Sequence, residues 1–559
     1  MNKLWLQSYP QGVPADIDFT QYGSLVQLLE EAFDKYADRQ AYVCMDKFLT
    51  YREVDRYSEV LAAWLQGTGL PQGARVALMM PNVLQYPIAI AAVLRAGYVV
   101  VNVNPLYKPR ELQHQLIDSG AEAIIILENF AATLEKVIGN TQVKHVVVAS
   151  MGDMLGGIKG SIVNLVVRHV KKMVPAFSLP AAVPFKQALA QGAGQRMQKP
   201  ELHRTDIAFL QYTGGTTGTA KGAVLTHANI IANVLQNEAW IMPVVCKQPA
   251  DKAMTFICAL PLYHIYALTV SCVTGLRLGA MNVLIPNPRD IAGLIKELKK
   301  YPFHLLPAVN TLYNGLLNHP DIKTVDFSSL LLCNGGGMMM QQVVSERWQA
   351  LTGKTIIEGY GLSETSPVVT ANPVDATAFS GMIGLPVSST EIRIIDSNDS
   401  DVPLGQPGEI AIRGPQVMAG YWNNPLETAQ SMTADGFFKS GDIGIMDARG
   451  YIKIVDRKKD MILVSGFNVY PSEIEGVVAA HPGVLECACI GVPDEHTGEA
   501  VKLFVVKRDP ALTEDMLLQY CREQFTGYKK PKHIEFRTDL PKSNVGKILR
   551  RELREEQKA

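Results

Sequence analysis

Residues 75–80, Arg-Val-Ala-Leu-Met-Met, and residues 98–103, Tyr-Val-Val-Val-Asn-Val, flank an apolar segment at 86–96 that Gly97 closes. The two outer runs are short and rich in apolar residues, and the segment between them has the length of a helix. A third apolar run follows at 123–127, Ala-Ile-Ile-Ile-Leu. Strands that are apolar on both faces and alternate with helices are typical of a parallel sheet covered by helices. The sequence therefore predicts an α/β fold.

The pattern changes in the last third of the chain. Between about 390 and 456, apolar and polar residues alternate between Gly, Pro and Asp turns, which predicts a small antiparallel β-rich subdomain. The charged run at 456–460, Asp-Arg-Lys-Lys-Asp, predicts a hinge or linker. Beyond it, residues 457–559 mix strand and helix patterns and are numerous enough to fold separately. We expect an N-terminal body at 1–456 and a small mobile α+β lid domain at 457–559.

Composition narrows the class of protein. The chain has 559 residues, 47% hydrophobic and 19% charged, which indicates a globular protein with several folding units. A net charge of −1 gives no overall signal for nucleic acid, and none is expected as a partner. The eight cysteines lack paired metal-ligand spacing and predict free thiols in a reducing compartment. The N-terminus has no apolar signal region, so we expect a cytoplasmic location.

Two segments bear on membrane contact. Residues 253–276 contain no Asp, Glu, Lys or Arg, but their Pro, Tyr, His and hydroxyl residues favour a buried strand, turn and helix over a transmembrane span. Residues 158–174 have apolar residues at helical spacing, with polar residues on the other side: Asn164, Arg168, Lys171 and Lys172. Such a helix either docks on the core as an ordinary surface helix or lies on the anionic inner face of the cytoplasmic membrane. The sequence leaves both open.

The stretch with most chemical information is 212–222, Tyr-Thr-Gly-Gly-Thr-Thr-Gly-Thr-Ala-Lys-Gly. Its glycines let backbone amides approach a ligand closely, its threonines offer hydroxyl donors, and Lys221 adds a positive charge. This density of donors predicts a polyphosphate cradle rather than a plain surface turn. It is not a Walker A loop, because Lys221 is followed by Gly222 instead of Ser or Thr.

Two clusters suit the base and metal of a nucleotide. Residues 335–337 are three glycines after an apolar run, and they let the backbone lie flat against a planar ligand. Residues 358–364, Glu-Gly-Tyr-Gly-Leu-Ser-Glu, place Tyr360 between two glycines, where its ring can stack on a base. Four residues later, Glu364 can hold Mg²⁺, which prefers carboxylate and phosphate oxygens. Taken singly, a triple glycine is more often a turn.

Two further clusters suit ribose and phosphate. Residues 440–442, Ser-Gly-Asp, can bind a diol, because the carboxylate of Asp442 accepts two hydrogen bonds. Lys547 follows Gly546 in a polar loop before a charged helix predicted at 547–558, and it can reach into a site as a point charge. Read alone, Asp442 is a common turn residue and Lys547 a solvated lysine.

Together, the five clusters resemble the adenylate-forming superfamily in order and approximate spacing. That superfamily includes acyl-CoA ligases, firefly luciferase and the adenylation domains of peptide synthetases. The resemblance covers nearly the whole chain and is strongest to the bacterial long-chain fatty-acid–CoA ligases. The segments that carry this finer resemblance are 77–82, 101–107, 456–471 and 541–553.

The resemblance implies a role for each matching position. The ATP phosphates would be wrapped by Thr213, Gly214, Gly215, Thr216, Thr217, Gly218 and Lys221. Adenine would lie between two glycine segments and their neighbours: Gly335, Gly336, Gly337, Glu358, Gly359, Tyr360, Gly361 and Ser363. Mg²⁺ would be held by Glu364, and ribose by Asp442 and Arg457. His264, in Leu-Pro-Leu-Tyr-His-Ile-Tyr, would border the carboxylate and acyl site.

The implied reaction has two halves and takes ATP, Mg²⁺ and coenzyme A. A fatty-acid carboxylate attacks the α-phosphorus of ATP, and Lys547 with Mg²⁺ offsets the repulsion between these anions. The thiol of coenzyme A then attacks the acyl-adenylate. The resemblance implies that the lid rotates about Lys459, which removes Lys547 and brings Gly466 to the thiol tunnel. No side chain serves as nucleophile, and the implied catalytic residues are Lys547, Glu364, His264 and Thr213.

Several alternatives share these nucleotide motifs: a ligase for medium-chain or aryl acids, a luciferase-like oxygenase, a peptide-synthetase adenylation module and a non-catalytic nucleotide-binding homologue. The peptide-synthetase reading is disfavoured because the sequence ends 12 residues after Lys547, without a carrier domain. The non-catalytic reading is disfavoured by the joint presence of Lys221, Glu364, Asp442, Arg457 and Lys547. We expect the acyl pocket near residues 264–280 and 306–337. Acyl chain length and oligomeric state are not predicted.

Overall fold

The computed structural model describes residues 3–213, 220–249, 252–465, 467–525, 527–543 and 545–557. Over these residues the strands form four sheets, and helices cover the two largest, so the predicted α/β class is confirmed. The α-helices are Leu25–Lys35, Tyr51–Gly67, Gln85–Arg95, Pro109–Ser119, Glu128–Glu135, Gly157–Leu165, Phe185–Gly192, His227–Val245, Thr274–Arg277, Ile291–Lys300, Asn310–Asn318, Gln342–Thr352, Pro425–Gln430, Pro471–Ala479, Glu514–Gln524 and Arg550–Glu556. Two π-helical segments are Val166–Val170 and Ala267–Val273.

The first large sheet has nine strands, of which the six central ones are parallel. Antiparallel strands complete it at both ends. Its parallel strands are buried on both faces, as their apolar sequences require. In spatial order the strands are Leu385–Pro386, Val368–Ala371, Ile356–Gly361, Leu332–Gly335, Leu305–Ala308, Thr255–Cys258, Met281–Leu284, Gln40–Cys44 and Lys47–Thr50.

The second large sheet has eight strands and contains the strand–helix–strand unit predicted from residues 75–103. The observed strands Arg75–Met79 and Val99–Asn102 pair in parallel, and helix Gln85–Arg95 connects them. The spatial order is Gly420–Tyr421, Lys221–Thr226, Ile207–Thr213, Val99–Asn102, Arg75–Met79, Ala123–Leu127, His145–Ala149 and Val183–Pro184. Six of these strands are parallel, and the first two in this order are antiparallel additions.

The β-rich stretch predicted near 390–456 is an antiparallel four-stranded sheet of Glu391–Ile395, Gly408–Arg413, Phe438–Met446 and Ile452–Arg457. A turn at 458–460 follows its last strand. The chain then forms a sheet of Phe467–Val469, Ile462–Val464, Gly498–Lys507 and Val484–Asp494, and His533–Arg537 pairs with Gly498–Lys507. Between 462 and 525 most buried apolar side chains form a cluster apart from the main core, and Ala488, Ile490, Phe504 and Val506 belong to a second small cluster with Leu540 and Leu553. The division at 456–460 therefore falls at a turn between two sheets.

The predicted charged helix at 547–558 is shorter than expected and spans Arg550–Glu556. Lys547 instead lies in the preceding loop, where Ser543 Oγ accepts a hydrogen bond from the Lys547 backbone N–H at 3.1 Å. The side-chain hydroxyl thus competes with helical hydrogen bonding and holds the backbone in a turn. The eight cysteines are free thiols, as predicted.

Segment 253–276 is a strand, a turn and a π-to-α helix, as expected. Among the residues that the structure describes, no helix has both the length and the apolar character required to cross a bilayer.

The segment at 158–174 meets the protein through both apolar and polar side chains: Val167 is buried and Val163 packs against the main core. Asn164 Oδ1 accepts a hydrogen bond from the Gly152 N–H at 2.7 Å, and Arg168 Nε donates to Glu128 Oε2 at 2.9 Å. Five other apolar side chains face outward, and Ile158 among them has 83% of its surface exposed. The other four are Ile162, Leu165, Val170 and Met173. The segment therefore keeps an exposed apolar face after it has docked on the body.

Candidate active site

A cavity of about 1620 Å³ lies where the two large sheets, the four-stranded sheet and the C-terminal loop meet. Thr213 reaches it from the end of a strand in the eight-stranded sheet, and Gly335 and Gly361 reach it from strand ends in the nine-stranded sheet. The carboxyl ends of strands in open α/β sheets are the usual place for ligands. Lys547 enters the same cavity from the C-terminal part of the chain.

Most of the predicted site residues line this one cavity: Thr213, Lys221, His264, Gly335, Gly336, Gly337, Gly359, Tyr360, Gly361, Ser363, Glu364, Arg457, Lys459 and Lys547. Glu358 and Asp442 are buried behind its wall. The remaining predicted positions lie outside the described residues: Gly214, Gly215, Thr216, Thr217, Gly218 and Gly466. Residues far apart in sequence are thus brought together, while their roles stay predictions.

Asp442 is fixed by two neighbours. The register of strands Phe438–Met446 and Ile452–Arg457 places Asp442 opposite Arg457, and Arg457 Nε lies 3.1 Å from Asp442 Oδ1. The hydroxyl of Tyr360 donates to Asp442 Oδ2 at 2.6 Å. Each carboxylate oxygen has a second lone pair, so the group can still accept hydrogen bonds from a diol. Tyr360, predicted to stack on adenine, and Asp442, predicted to bind ribose, are therefore hydrogen-bonded to each other.

Glu364 lies in the short 3₁₀ helix Ser363–Thr365 and is 9% exposed. Tyr421 donates its hydroxyl to Glu364 Oε1 at 2.8 Å, and the Met418 N–H donates to the Glu364 carbonyl at 2.7 Å. Burial raises the pKa of the Glu364 carboxyl, while the hydrogen bond from Tyr421 opposes that rise. Sequence reasoning missed Tyr421, because nothing in the run Gly-Tyr-Trp at 420–422 indicates a partner 57 residues earlier.

The residues present fit a magnesium ion that is shared with phosphate. Within the described residues, no three His, Cys, Asp or Glu side chains come together as a ready metal cage. Several carboxylates line the cavity, and Glu364 is the one that lies between the glycine-containing strand Ile356–Gly361 and Tyr421. Mg²⁺ usually binds through one or two carboxylates together with substrate phosphates and water. The donor set therefore suits a metal that arrives with a nucleotide.

Lys221 is paired in this structure with a residue that the sequence did not suggest. Its ammonium group forms a salt bridge with Glu427 and lies 5.4 Å from the centre of the Tyr421 ring. Glu427 belongs to the short helix Pro425–Gln430, 206 residues further along the chain. To bind a phosphate, Lys221 must therefore either leave Glu427 or contact the phosphate and Glu427 at the same time.

Lys547 and Lys459 have lowered pKa values. The positive charge of Arg457, with burial, lowers the pKa of Lys547 to about 8. Burial and the same Arg457 lower the pKa of Lys459 to about 8. The loop of Lys547 is joined to the N-terminal body by Thr311, whose hydroxyl donates to the Gly546 carbonyl at 2.9 Å. The cavity thus gathers positive charge at the place where a polyphosphate is predicted.

His264 is neutral at physiological pH. Burial and the nearby Lys547 lower its pKa to about 4. Its Nδ1 accepts a hydrogen bond from the Tyr266 N–H at 3.2 Å, which leaves the proton on Nε2. The ring can therefore donate one hydrogen bond but carries no charge to hold a carboxylate.

Glu358 supports the cavity wall. Its Oε1 accepts a hydrogen bond from the Met340 N–H at 3.3 Å, and its Oε2 is buried without a hydrogen-bond partner among the described residues. Burial raises its pKa to about 8, so the carboxyl is mostly neutral at pH 7. Close packing also explains Gly336, because a Cβ there would lie 3.1 Å from the Tyr266 ring.

An apolar branch of the cavity was only partly anticipated. The predicted range 264–280 contributes His264, Ile265, Tyr266 and Val270, and the range 306–337 contributes residues 334–337. The His227–Val245 helix, which was not predicted there, adds Asn237, Trp240 and Ile241. Their i, i+3, i+4 spacing was visible in the sequence, but so was the same spacing in every core helix.

Comparison with known proteins gives consistent matches along the chain. The family model described as AMP-binding enzyme matches residues 29–422, and the model described as AMP-binding enzyme C-terminal domain matches residues 473–547. The chain is 56% identical over 557 residues to a long-chain-fatty-acid–CoA ligase of Escherichia coli O6:H1, covering 100% of this chain and 98% of that one. It is 52% identical over 558 residues to the ligase of the same name from Haemophilus influenzae, covering 100% and 99%.

A similar solved structure is that of the anthranilate CoA ligase AuaEII in complex with anthranoyl-AMP. It superimposes with a TM-score of 0.85 at 25% identity and covers 97% of this chain and 99% of that one. The fold, including the C-terminal part, is therefore shared over nearly the full length.

Proposed function

The chain belongs to the AMP-binding enzyme family, and on that premise we propose that it is an ATP-dependent long-chain fatty-acid–CoA ligase. It activates a fatty acid as an acyl-adenylate with release of pyrophosphate, and then transfers the acyl group to the thiol of coenzyme A. The observation that carries this proposal is the single cavity in which a cationic half meets an apolar branch. ATP and a fatty acid require those two environments side by side.

The side chains of the cationic half support adenylate formation. Thr213 and Lys221 would hold the terminal phosphates, and Asp442 with Arg457 would hold the ribose. Lys547 would lie at the α-phosphate, where the incoming carboxylate adds negative charge. Preorganised positive groups are most effective where charge develops, because they need no reorganisation during the reaction. The neutral His264 would donate a hydrogen bond from Nε2 beside the acyl carboxylate.

Glu364 would hold Mg²⁺ together with phosphate oxygens, and Tyr421 would orient that carboxylate through its hydroxyl. Bound there, the metal would neutralise part of the negative charge of the phosphates. The exchange of Lys221 from Glu427 to a phosphate would accompany nucleotide binding.

We further propose that residues 457–559 act as a lid that serves both half-reactions. In the present arrangement Lys547 lines the cavity, as adenylate formation requires. The thiol half-reaction would follow a rotation near Lys459, with Gly466 brought to the thiol tunnel. Residues 458–460 form a turn between the strands Ile452–Arg457 and Ile462–Val464, and a turn between two sheets is a suitable place for such a rotation.

The proposed function is tested by exchange of labelled pyrophosphate into ATP in the presence of single carboxylic acids, followed by detection of the acyl-CoA product. We expect exchange that depends on long-chain fatty acids and thioester formation when coenzyme A is added. A maximum with aromatic or short acids would replace the long-chain assignment by the aryl or medium-chain alternative. Nucleotide binding without any exchange would instead support the non-catalytic homologue.

We also propose a peripheral contact between the exposed apolar face at 158–173 and the anionic inner surface of the cytoplasmic membrane. The segment is held on the body by Asn164, Arg168 and Val167, and its five exposed apolar side chains face away from that contact. Lys171 and Lys172 are exposed beside this face. Apolar side chains next to lysines match the lipid and headgroup layers of an anionic membrane.

Sedimentation with vesicles tests this contact. We expect the protein to sediment with vesicles that contain anionic phospholipid, and we expect the combined substitution Ile158→Ser, Ile162→Ser and Leu165→Ser to weaken binding by at least about tenfold, because each buried side chain contributes about 1.5–3 kcal/mol. A matched control replaces two exposed apolar residues elsewhere, Leu404→Ser and Met516→Ser. Equal binding by all three proteins would contradict the proposal.

A further inference from the structure

The apolar branch of the cavity is an interior pocket rather than a surface groove. Five apolar residues line it and each is less than one-tenth exposed: Trp240, Ile241, Val270, Ala371 and Val387. They come from the His227–Val245 helix, the π-helical segment Ala267–Val273 and the antiparallel edge of the nine-stranded sheet. A pocket with apolar walls on three sides fits an alkyl chain.

Two hydrogen bonds join the His227–Val245 helix to the strand Val368–Ala371 and the residue that follows it. In the first, Asn233 Nδ2 on the helix donates to the Val368 carbonyl at 2.8 Å. Farther along, Trp240 Nε1 donates to the Asn372 carbonyl at 3.0 Å. Seven helical residues separate the two donors, which corresponds to about 10 Å, and four strand residues separate the two acceptors, which corresponds to about 13 Å. The helix and the strand therefore run side by side along the pocket.

The start of the pocket is next to the proposed nucleotide site. Val368 pairs with Gly361 in the sheet, and Gly361 is one of the glycines expected at adenine. Gly361, Val368 and Trp240 all line the same cavity, so the apolar residues adjoin the predicted adenine site.

Trp240 is held rigidly in the wall of the pocket. Its indole N–H is bonded to Asn372, and its ring packs edge-on against Tyr9 with the ring centres 5.3 Å apart. Tyr9 is itself fixed, because its hydroxyl donates to the Pro386 carbonyl at 2.6 Å. The indole therefore has a second aromatic ring directly behind it and cannot move back without breaking these contacts.

We propose that Trp240 closes the acyl pocket and sets the longest fatty acid that the enzyme uses. This inference rests on the proposed function. An alkyl chain that reaches the indole gains nothing from further methylenes, because the ring occupies the space that they would fill. Removal of the ring would extend the pocket toward Tyr9 and allow additional methylenes to be buried.

The test is the ratio of kcat/KM for very-long-chain to long-chain saturated acids. In Trp240→Ala we expect this ratio to rise by about fourfold for each methylene newly accommodated, so by more than tenfold over a few methylenes. Trp240→Phe should stay close to the unsubstituted enzyme, because the phenyl ring still blocks most of the space. The opposite change, Ala371→Leu, should narrow the pocket and lower the ratio.

Two controls keep the outcome interpretable. Trp64→Ala removes another buried indole, one that is hydrogen-bonded to Gln191 outside the cavity, and should lower thermal stability without changing the ratio. If Trp240→Ala does not fold, the kcat/KM ratio of Ala371→Leu still tests whether the pocket limits chain length. Unchanged ratios in the folded variants would overturn the role of Trp240. Failure of the unsubstituted enzyme to activate any fatty acid would instead overturn the proposed function.

Discussion

Replacement of Lys547 by alanine should lower the rate of adenylate formation by about 10²- to 10³-fold, the usual cost of losing one preorganised group at developing charge. Formation of thioester from supplied acyl-adenylate should remain close to normal, because Lys547 would leave the site before that step. The measurement is pyrophosphate exchange for the first half-reaction and acyl-CoA release from synthetic acyl-adenylate for the second. An equal loss in both half-reactions would contradict the proposal that each of two lid positions serves one half-reaction.

The lowered pKa of Lys547 provides an independent check. Its ammonium is charged below a pKa of about 8 and loses its proton as the pH rises through that value. Adenylate formation should therefore decline above about pH 8, and Lys547→Arg, which keeps its charge, should move the decline to higher pH. Lys507→Ala, a substitution in the same C-terminal sheet, should change neither the rate nor the pH profile.

Replacement of Glu364 by alanine should abolish most ATP-dependent activity, because the one predicted metal-binding carboxylate is lost. We expect the Mg²⁺ concentration required for nucleotide binding to rise by more than about tenfold, since even indirect changes at metal sites have effects of that size. The direct readout is calorimetric binding of ATP over a titration of Mg²⁺, which does not depend on turnover.

Two variants separate charge from shape at this position. Glu364→Gln keeps the size of the side chain and its ability to accept a hydrogen bond from Tyr421, so it should lose Mg²⁺ dependence nearly as fully as alanine. Glu346→Gln, at an exposed position on the Gln342–Thr352 helix, is the matched control. An unchanged Mg²⁺ requirement in both Glu364 variants would remove this residue from the metal site.

The fold was largely predictable from local patterns. The strand Ala123–Leu127 was located from the sequence because a buried parallel strand must be apolar throughout, and the β-rich stretch near 390–456, which contains Gly408–Arg413, was located because its apolar and polar residues alternate. The prediction for the end of the chain was less accurate, because the start of helix Arg550–Glu556 depends on the hydrogen bond between Ser543 and the Lys547 backbone.

The segment at 158–174 shows where pattern reasoning fails. Its periodicity indicated an amphipathic helix but not which face would meet the protein. That orientation depends on the positions of Glu128 and Gly152, which pair with Arg168 and Asn164 and belong to other elements.

The sequence by itself determined the α/β class, the order of the nucleotide motifs and the residue types that the chemistry needs. These follow from backbone geometry and from the donors and charges that a phosphate, a diol or a metal requires. Only the tertiary structure decided the partners Tyr421 and Glu427, the lowered pKa of Lys547, and the place of Trp240 in the wall of the cavity. Each of these depends on distances between residues remote in sequence, and such distances are set by how the sheets and helices pack.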